Sequence, residues 1–260
     1  QIAQEKAGII KFGTKVISAR QDTKAMKEIR NICAIKSSFL TEIGSDIIYE
    51  SGQYNLKGQS FRVRSKRNNY DLWMPLLGDH QLENAAIAVG VVEAVTDEGW
   101  SIDARALETG FMNVSWPCRM EALEENPLVI TDGAHNPDAM TKVREFAMKY
   151  LKGRRPVVIF GASKDKNVAG MMDALVPLNP IIISTRSRHP RYVDVGDLTL
   201  GFRSRGLEVF EGKNVPEAMK IAKAVRKGED YILATGSLFV AAEVREVVLN
   251  INPEVYNLSQ

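Results

Sequence analysis

Five short apolar runs in the second half of the chain restrict its fold more than any other feature. They are Leu128-Val129-Ile130, Val157-Val158-Ile159-Phe160, Ile181-Ile182-Ile183, Leu207-Glu208-Val209-Phe210 and Tyr231-Ile232-Leu233. Most are continuously apolar and β-rich, the composition of a strand buried on both faces. Helical patterns lie between them. In residues 137–151, Met140, Val143, Ala147 and Tyr150 recur at three-to-four spacing and make one apolar stripe; residues 215–227 and 237–249 behave similarly. Strand, helix and strand alternate at intervals of roughly 25–30 residues, which predicts right-handed crossovers and a mostly parallel sheet. The expected unit is a Rossmann-like α/β domain with ligands at the carboxyl ends of its strands.

The first 115 residues follow a different pattern. Val16-Ile17 reads as a strand and residues 22–30 as a helix, while residues 60–64 and 70–76 read as paired antiparallel strands. A helix is expected from about 80 to 98, with Leu82, Ala86, Val89 and Val92/Glu93 marking one face. Residues 113–121 (NVSWPCRME), carrying Pro117, separate the two patterns, so the expected domains are 1–115 and 116–260. A composition of 45% hydrophobic and 25% charged residues is ordinary for a globular protein. No apolar run has the length of a membrane span, and no segment reads as a signal peptide. The net charge of +2 points to neither a nucleic acid nor a membrane. Cys33 and Cys118 do not make a disulfide framework and suit a reducing compartment. The expectation is a cytoplasmic protein. Because the chain opens at Gln1 as if inside an element, it is expected to be part of a longer one.

The strongest site signal is ITDGAHNPDAM, residues 130–140. An apolar strand ends at Thr131-Asp132, Gly133 permits a sharp turn, and Asn136 with Pro137 opens a helix. Asp132, His135 and Asn136 are thus expected at the carboxyl edge of the sheet, beside a helix N-terminus where anions bind. A capped turn with a solvated histidine would look the same. In ATGSLFVAAEV (234–244) a second strand ends, Gly236 relaxes the backbone and Ser237 starts a helix; capping alone accounts for that serine. Arg119, in WPCRME, stands where a guanidinium could reach a phosphate between domains, or form a structural ion pair. EKAGIIK (5–11) reads as a helix end passing through Gly8 into a strand, and GDHQLENAAIA (78–88) as a capped helix with Asp79 near its start and Asn84 one turn in. His80, His135, His189 and the cysteines have no metal-site spacing. Neither GxGxxG nor GxxxxGK[ST] occurs.

Taken in order, EKAGIIK, GDHQLENAAIA, SWPCRME, DGAHNPDAM, GASKDKN (161–167) and ATGSLFVAA resemble the folylpolyglutamate synthase/dihydrofolate synthase family of the Mur-ligase superfamily. The likeness runs from residue 2 to about 245. It implies the remainder of a central ATPase domain over 1–115 and a Rossmann-like ligase domain over 116–260. It also implies an ATP-dependent ligase that adds L-glutamate to dihydropteroate or a reduced folate through an acyl phosphate, with Mg²⁺. Lys6 matches a lysine that is carbamylated in family members, which would make it an oxygen ligand for the metal; a carbamate offers the anionic oxygens that Mg²⁺ prefers, and an amine does not. Asn84 matches an adenine-side asparagine, Arg119 an arginine on the phosphates of ATP, and Asp132 a nucleotide-side aspartate. His135 and Ser237 match positions near the incoming glutamate, and Lys164 and Asp165 fall in a family loop. His135 could assist deprotonation of the attacking amine or only position substrate.

Family members carry a glycine-rich P-loop and further magnesium ligands upstream of EKAGIIK, so the chain is expected to be a fragment that does not turn over alone. The competing readings are a non-catalytic module lacking the P-loop, or a partner subunit, and a Mur-type ligase for a different amino acid or acceptor. A monomer acting on small molecules is expected, without nucleic acid or membrane.

Overall fold

A computed structural model describes residues 2–253, so Gln1 lies outside the described residues. The chain divides into two compact units, 1–115 and 116–260.

In the first unit, helix α1 (Ile2–Ala7) precedes strand β1 (Lys15–Ser18), helix α2 (Thr23–Ile35) and strand β2 (Phe39–Glu42). β1 and β2 pair in parallel, with Val16 opposite Leu40, and α2 is the crossover between them. Asp22 starts α2 by accepting from the amides of Lys24 and Ala25. Strands β3 (Ile48–Asn55), β4 (Gly58–Arg64) and β5 (Asn69–Met74) form an antiparallel meander, followed by helices α3 (Asp79–Asp97) and α4 (Ala104–Met112). The alternate residues Phe61, Val63, Leu72 and Met74 pack against Leu82, Ala85, Ala86 and Val89 of α3 and Leu107 of α4. That is the period-2 face of a sheet meeting the stripe of an amphipathic helix. The antiparallel pair and the α3 face match the sequence expectation. β3 and α4 lacked a strong periodic signal, because β3 is exposed along most of its length and α4 buries only Leu107.

The second unit contains strands β6 (Glu121–Glu125) and β7 (Leu128–Thr131), helix α5 (Pro137–Tyr150), β8 (Pro156–Phe160), α6 (Val168–Leu175), β9 (Ile181–Ser184), α7 (Val195–Arg203), β10 (Glu208–Glu211), α8 (Val215–Val225), β11 (Tyr231–Thr235) and α9 (Leu238–Leu249). The strand order is β10-β9-β8-β11-β7-β6, and all neighbours are parallel except the β6–β7 pair. Each apolar run is a strand, though the fourth begins at Glu208 rather than Leu207. Alternate residues of the central strands face opposite helix layers. Val129, Val157, Ile159, Ile181, Ile183, Ile232 and Ala234 bury α8 and α9 through Val215, Ala218, Met219, Ala222, Val240 and Val244. On the other face, Phe160 meets Phe202 of α7 edge-to-face at 5.0 Å and the Thr235 hydroxyl points to the sulfur of Met140 on α5.

The layering places the site. Adjacent strands β7 and β11 run in parallel, but β7 leads to α5 on one face and β11 to α9 on the other. Where neighbouring parallel strands send their helices to opposite faces, a crevice opens beyond their carboxyl ends.

Candidate functional site

Both turns bordering this crevice are built by local chemistry. After β7, the amide of Asp132 still donates to the carbonyl of Ala234 on β11 at 2.9 Å, which ends the ladder. The amide of Gly133 then donates to the carbonyl of Cys118 at 2.8 Å, turning the chain back over the 116–120 segment. Asn136, in extended backbone, accepts from the amide of Ala139, and Pro137 occupies the first turn of α5. After β11, Gly236 has φ of 96° and Ser237 caps α9 by accepting from the amide of Phe239 at 3.2 Å. Two helix N-termini, each with its partial positive charge, thus open from neighbouring strands.

Gly236 cannot be replaced without disturbing this edge. A Cβ there would lie 2.6 Å from the carbonyl oxygen of Gly161 and 2.8 Å from the Phe160 ring, in a backbone region that side chains rarely adopt. The first obstacle is backbone and cannot rotate away. Gly236→Ala is expected to lower unfolding free energy by about 2–4 kcal/mol, read as a lower urea midpoint at unchanged slope.

Asp132 is buried, and its carboxylate faces inward: Oδ1 accepts from the amide of Ala134 at 2.8 Å and Oδ2 from the amide of Met120 at 3.0 Å. Burial pushes its pKa up to about 6, outweighing the opposing pull of those two amides and of nearby Arg119 and His135. The unfolded group titrates near 3.8, so between these values the folded chain holds a proton that the unfolded chain releases. Stability therefore falls as pH rises from about 4 to about 6, and the penalty is fully present above that. Asp132→Asn removes this titration. The melting temperature of wild type minus that of the variant is expected to decline across the same interval; a difference independent of pH would contradict it.

Arg119 lies between two residues in left-handed backbone, Cys118 at φ 58° and Met120 at φ 46°. Neither is glycine, so each conformation costs about 1 kcal/mol or more and persists only where surrounding contacts impose it. The Arg119 guanidinium stands 5.7 Å from the Trp116 ring centroid. Among the described residues no carboxylate forms an ion pair with it, so the structural ion pair foreseen as an alternative is not made. His135 is exposed, with Nδ1 2.8 Å from the carbonyl oxygen of Gly133. A carbonyl only accepts, so Nδ1 carries the hydrogen and Nε2 of the neutral ring is the acceptor. Ser237 is buried and its hydroxyl oxygen is engaged as the cap.

The structure thus gathers Arg119, Asp132 and His135 around one turn, with Ser237 at the end of the adjoining strand. Asp132 does not project from the edge as its position suggested, because the turn uses both of its oxygens. The other two candidates belong to the first unit. Lys6 is an exposed residue in the last turn of α1, and Asn84 is an exposed residue of α3 whose side-chain amide donates to Gln81 Oε1 at 3.1 Å. Among the described residues no group of three histidine, cysteine or acidic side chains could hold a metal ion. In the GASKDKN loop, the amide of Lys164 donates to the carbonyl of Arg191 and Asp165 pairs with Lys166. Sequence reasoning passed over Glu121, whose Oε2 accepts from the amide of Cys118 at 2.8 Å; nothing local in RME signals that bond.

Residues 118–238 match the Mur ligase, glutamate ligase domain. The dihydrofolate synthase/folylpolyglutamate synthase of Bacillus subtilis is 27% identical over 248 residues, covering 95% of this chain and 57% of that protein. The enzyme of the same name from Mycobacterium tuberculosis is 30% identical over 240 residues, covering 86% of this chain and 48% of its own length. The solved structure of Mycobacterium tuberculosis folylpolyglutamate synthase complexed with ADP superposes with a TM-score of 0.88 at 28% identity, over 95% of this chain and 58% of that one. The chain therefore spans about half the length of the relatives it matches. With the motif order, the α/β architecture and the matched domain in agreement, the chain belongs to the folylpolyglutamate synthase/dihydrofolate synthase family of the Mur-ligase superfamily.

Proposed function

We propose that the protein carrying this chain is an ATP-dependent ligase that joins L-glutamate to dihydropteroate, a reduced folate or both, through an acyl phosphate. Residues 116–260 are read as its ligase domain and residues 1–115 as the C-terminal part of its ATPase domain. The observation that carries this reading is the crevice between β7 and β11, where the backbone bearing Arg119 is bonded to the Asp132 turn beside two helix N-termini. An arginine held between two left-handed residues, with no ion pair among the described residues, suits a site for anionic reactants.

In this mechanism a carboxylate oxygen of the acceptor attacks the γ-phosphorus of ATP and ADP departs. The glutamate amine then attacks the acyl carbon, and the tetrahedral intermediate expels phosphate. All reactants are anionic, so catalysis consists largely of offsetting repulsion while holding groups in line. Arg119 meets the phosphates, and Asp132 belongs to the nucleotide side by holding the Arg119 segment to the turn. Asn84 contacts adenine. His135 and Ser237 lie toward glutamate: Nε2 of His135 accepts the proton the amine must lose, and the cap at Ser237 keeps the N-terminus of α9 facing a carboxylate.

Mg²⁺ usually takes one or two protein oxygens plus substrate phosphates and waters rather than a protein cage. Lys6 fits that requirement only when carbamylated, and its exposed position leaves the amine open to carbon dioxide. The bound ion would supply charge neutralisation at the phosphates. This protein is read as a monomer working in the cytoplasm; among the described residues no helix is long and apolar enough to cross a membrane.

The test is ATP-dependent incorporation of labelled glutamate by the full-length protein, offered dihydropteroate, tetrahydrofolate and a muramyl precursor in parallel. Incorporation into either pterin acceptor is expected. Incorporation into the muramyl precursor alone, or into none of them, would overturn the reading.

A further inference from the structure

Two backbone amides and one carbonyl hold the strained segment around Arg119. The amide of Met120 donates to Asp132, the carbonyl of Cys118 accepts from Gly133, and the amide of Cys118 donates to Glu121 Oε2. Asp132 and Gly133 belong to the turn already described. Glu121 does not. It begins the antiparallel edge strand β6, and its own geometry is set by Arg245 of α9. The Arg245 Nε donates to both carboxylate oxygens, at 3.0 and 3.1 Å, and each side chain is largely screened from solvent, with 29% exposure for Arg245 and 25% for Glu121.

The chain of contacts therefore runs from Arg245 to Glu121, to the Cys118 amide and on to the residue beside it. Left-handed backbone at Cys118 is unfavourable for a residue with a Cβ, so it needs such an external acceptor to persist. If the Cys118 amide loses this acceptor, φ at Cys118 relaxes and the guanidinium one residue on swings away. We infer that Glu121 and Arg245 are positioning residues, an ion pair that aims Arg119 at its anionic ligand; this rests on the reading of Arg119 as the phosphate arginine. The pair also ties this aim to α9, the helix that opens at Ser237.

Glutamate and ATP saturation kinetics and melting temperatures of the full-length protein decide the matter, using Arg245→Ala, Arg245→Lys, Glu121→Ala, Glu121→Gln, Arg119→Ala and the double variant Arg119→Ala/Arg245→Ala. Arg245→Ala and Glu121→Ala are each expected to lower kcat/KM for ATP about tenfold, with KM for glutamate unchanged. Glu121→Gln keeps an oxygen for the Cys118 amide and should retain most activity, and Arg245→Lys should lie between wild type and Arg245→Ala. The double variant should be no slower than Arg119→Ala alone, because an arginine that is absent cannot be misaimed. Wild-type ATP kinetics in Arg245→Ala and Glu121→Ala would overturn the inference while leaving the Arg119 reading intact. So would equal losses toward ATP and glutamate, or losses that add fully to Arg119→Ala, since a merely structural tie gives those. Where Arg245→Ala fails to fold, Glu121→Gln and Arg245→Lys carry the decision: wild-type ATP kinetics in Arg245→Lys, or a Glu121→Gln as slow as Glu121→Ala, count against it. An Arg119→Ala enzyme with unaltered ATP kinetics removes both readings.

Discussion

Arg119→Ala in the full-length protein is expected to reduce kcat/KM for ATP by about 10²–10³-fold, with acyl-phosphate formation becoming the slow step. The size follows from what the guanidinium does in the fold. It makes no ion pair among the described residues; it faces the Trp116 ring and exerts only a lesser pull on the Asp132 carboxyl. The hydrogen bonds that hold the segment are made by the backbone of Cys118 and Met120 and not by the guanidinium. Removing the side chain should therefore leave the melting temperature almost unchanged. Rapid-quench measurement of ADP formation, with glutamate absent and then present, separates the phosphoryl-transfer step from amine attack. Unchanged turnover would show that the guanidinium serves no anionic reactant. A large fall in melting temperature would show that it is structural after all.

His135→Ala is expected to act on the other half-reaction. Its Nδ1 is occupied by the Gly133 carbonyl, which leaves Nε2 as the proton acceptor. Loss of a positioned acid–base group typically removes 10²–10⁴-fold, and kcat/KM for glutamate should drop by about 10²-fold, while ATP binding stays at its wild-type strength. The measurement is glutamate saturation kinetics together with equilibrium binding of ATP in the absence of glutamate. Equal loss of both would mean that the ring serves the turn and not the amine. Raising pH should partly restore a variant that lacks only the base, since more of the glutamate amine is then already neutral.

The fold of the second unit was legible because parallel strands buried on both faces must be continuously apolar. That requirement printed β7, β8, β9 and β11 onto the sequence as short β-rich runs. The caps were legible for an equally local reason: Asn136 before Pro137, and Ser237 after Gly236, satisfy helix-end amides within three residues. Elements without such a requirement were not singled out. β3 is exposed along most of its length, and α6 and α7 are helices of eight and nine residues, too short for a long periodic stripe. β6 pairs antiparallel at the edge and carries three glutamates, so it lacks the apolar signature of its neighbours.

The sequence by itself determined the α/β class, the strand-ending turns at Asp132 and Gly236, and through the order of its motifs the family. These rest on local chemistry: burial period, capping and glycine. Strand order was decided only by the tertiary structure, because β11, last along the chain, inserts between β7 and β8. That insertion sets β7 beside β11 and makes the crevice. The orientation of Asp132 is likewise tertiary. Its two acceptor bonds reach amides on either side of it, one of them twelve residues back at Met120, and burial of the carboxyl, against the pull of those amides, shifts it toward neutrality. So too is the link from Arg245 to Glu121, which spans 124 positions. A pattern read along the chain reports which residues need burial or a cap; it carries no distance between residues that only folding brings together.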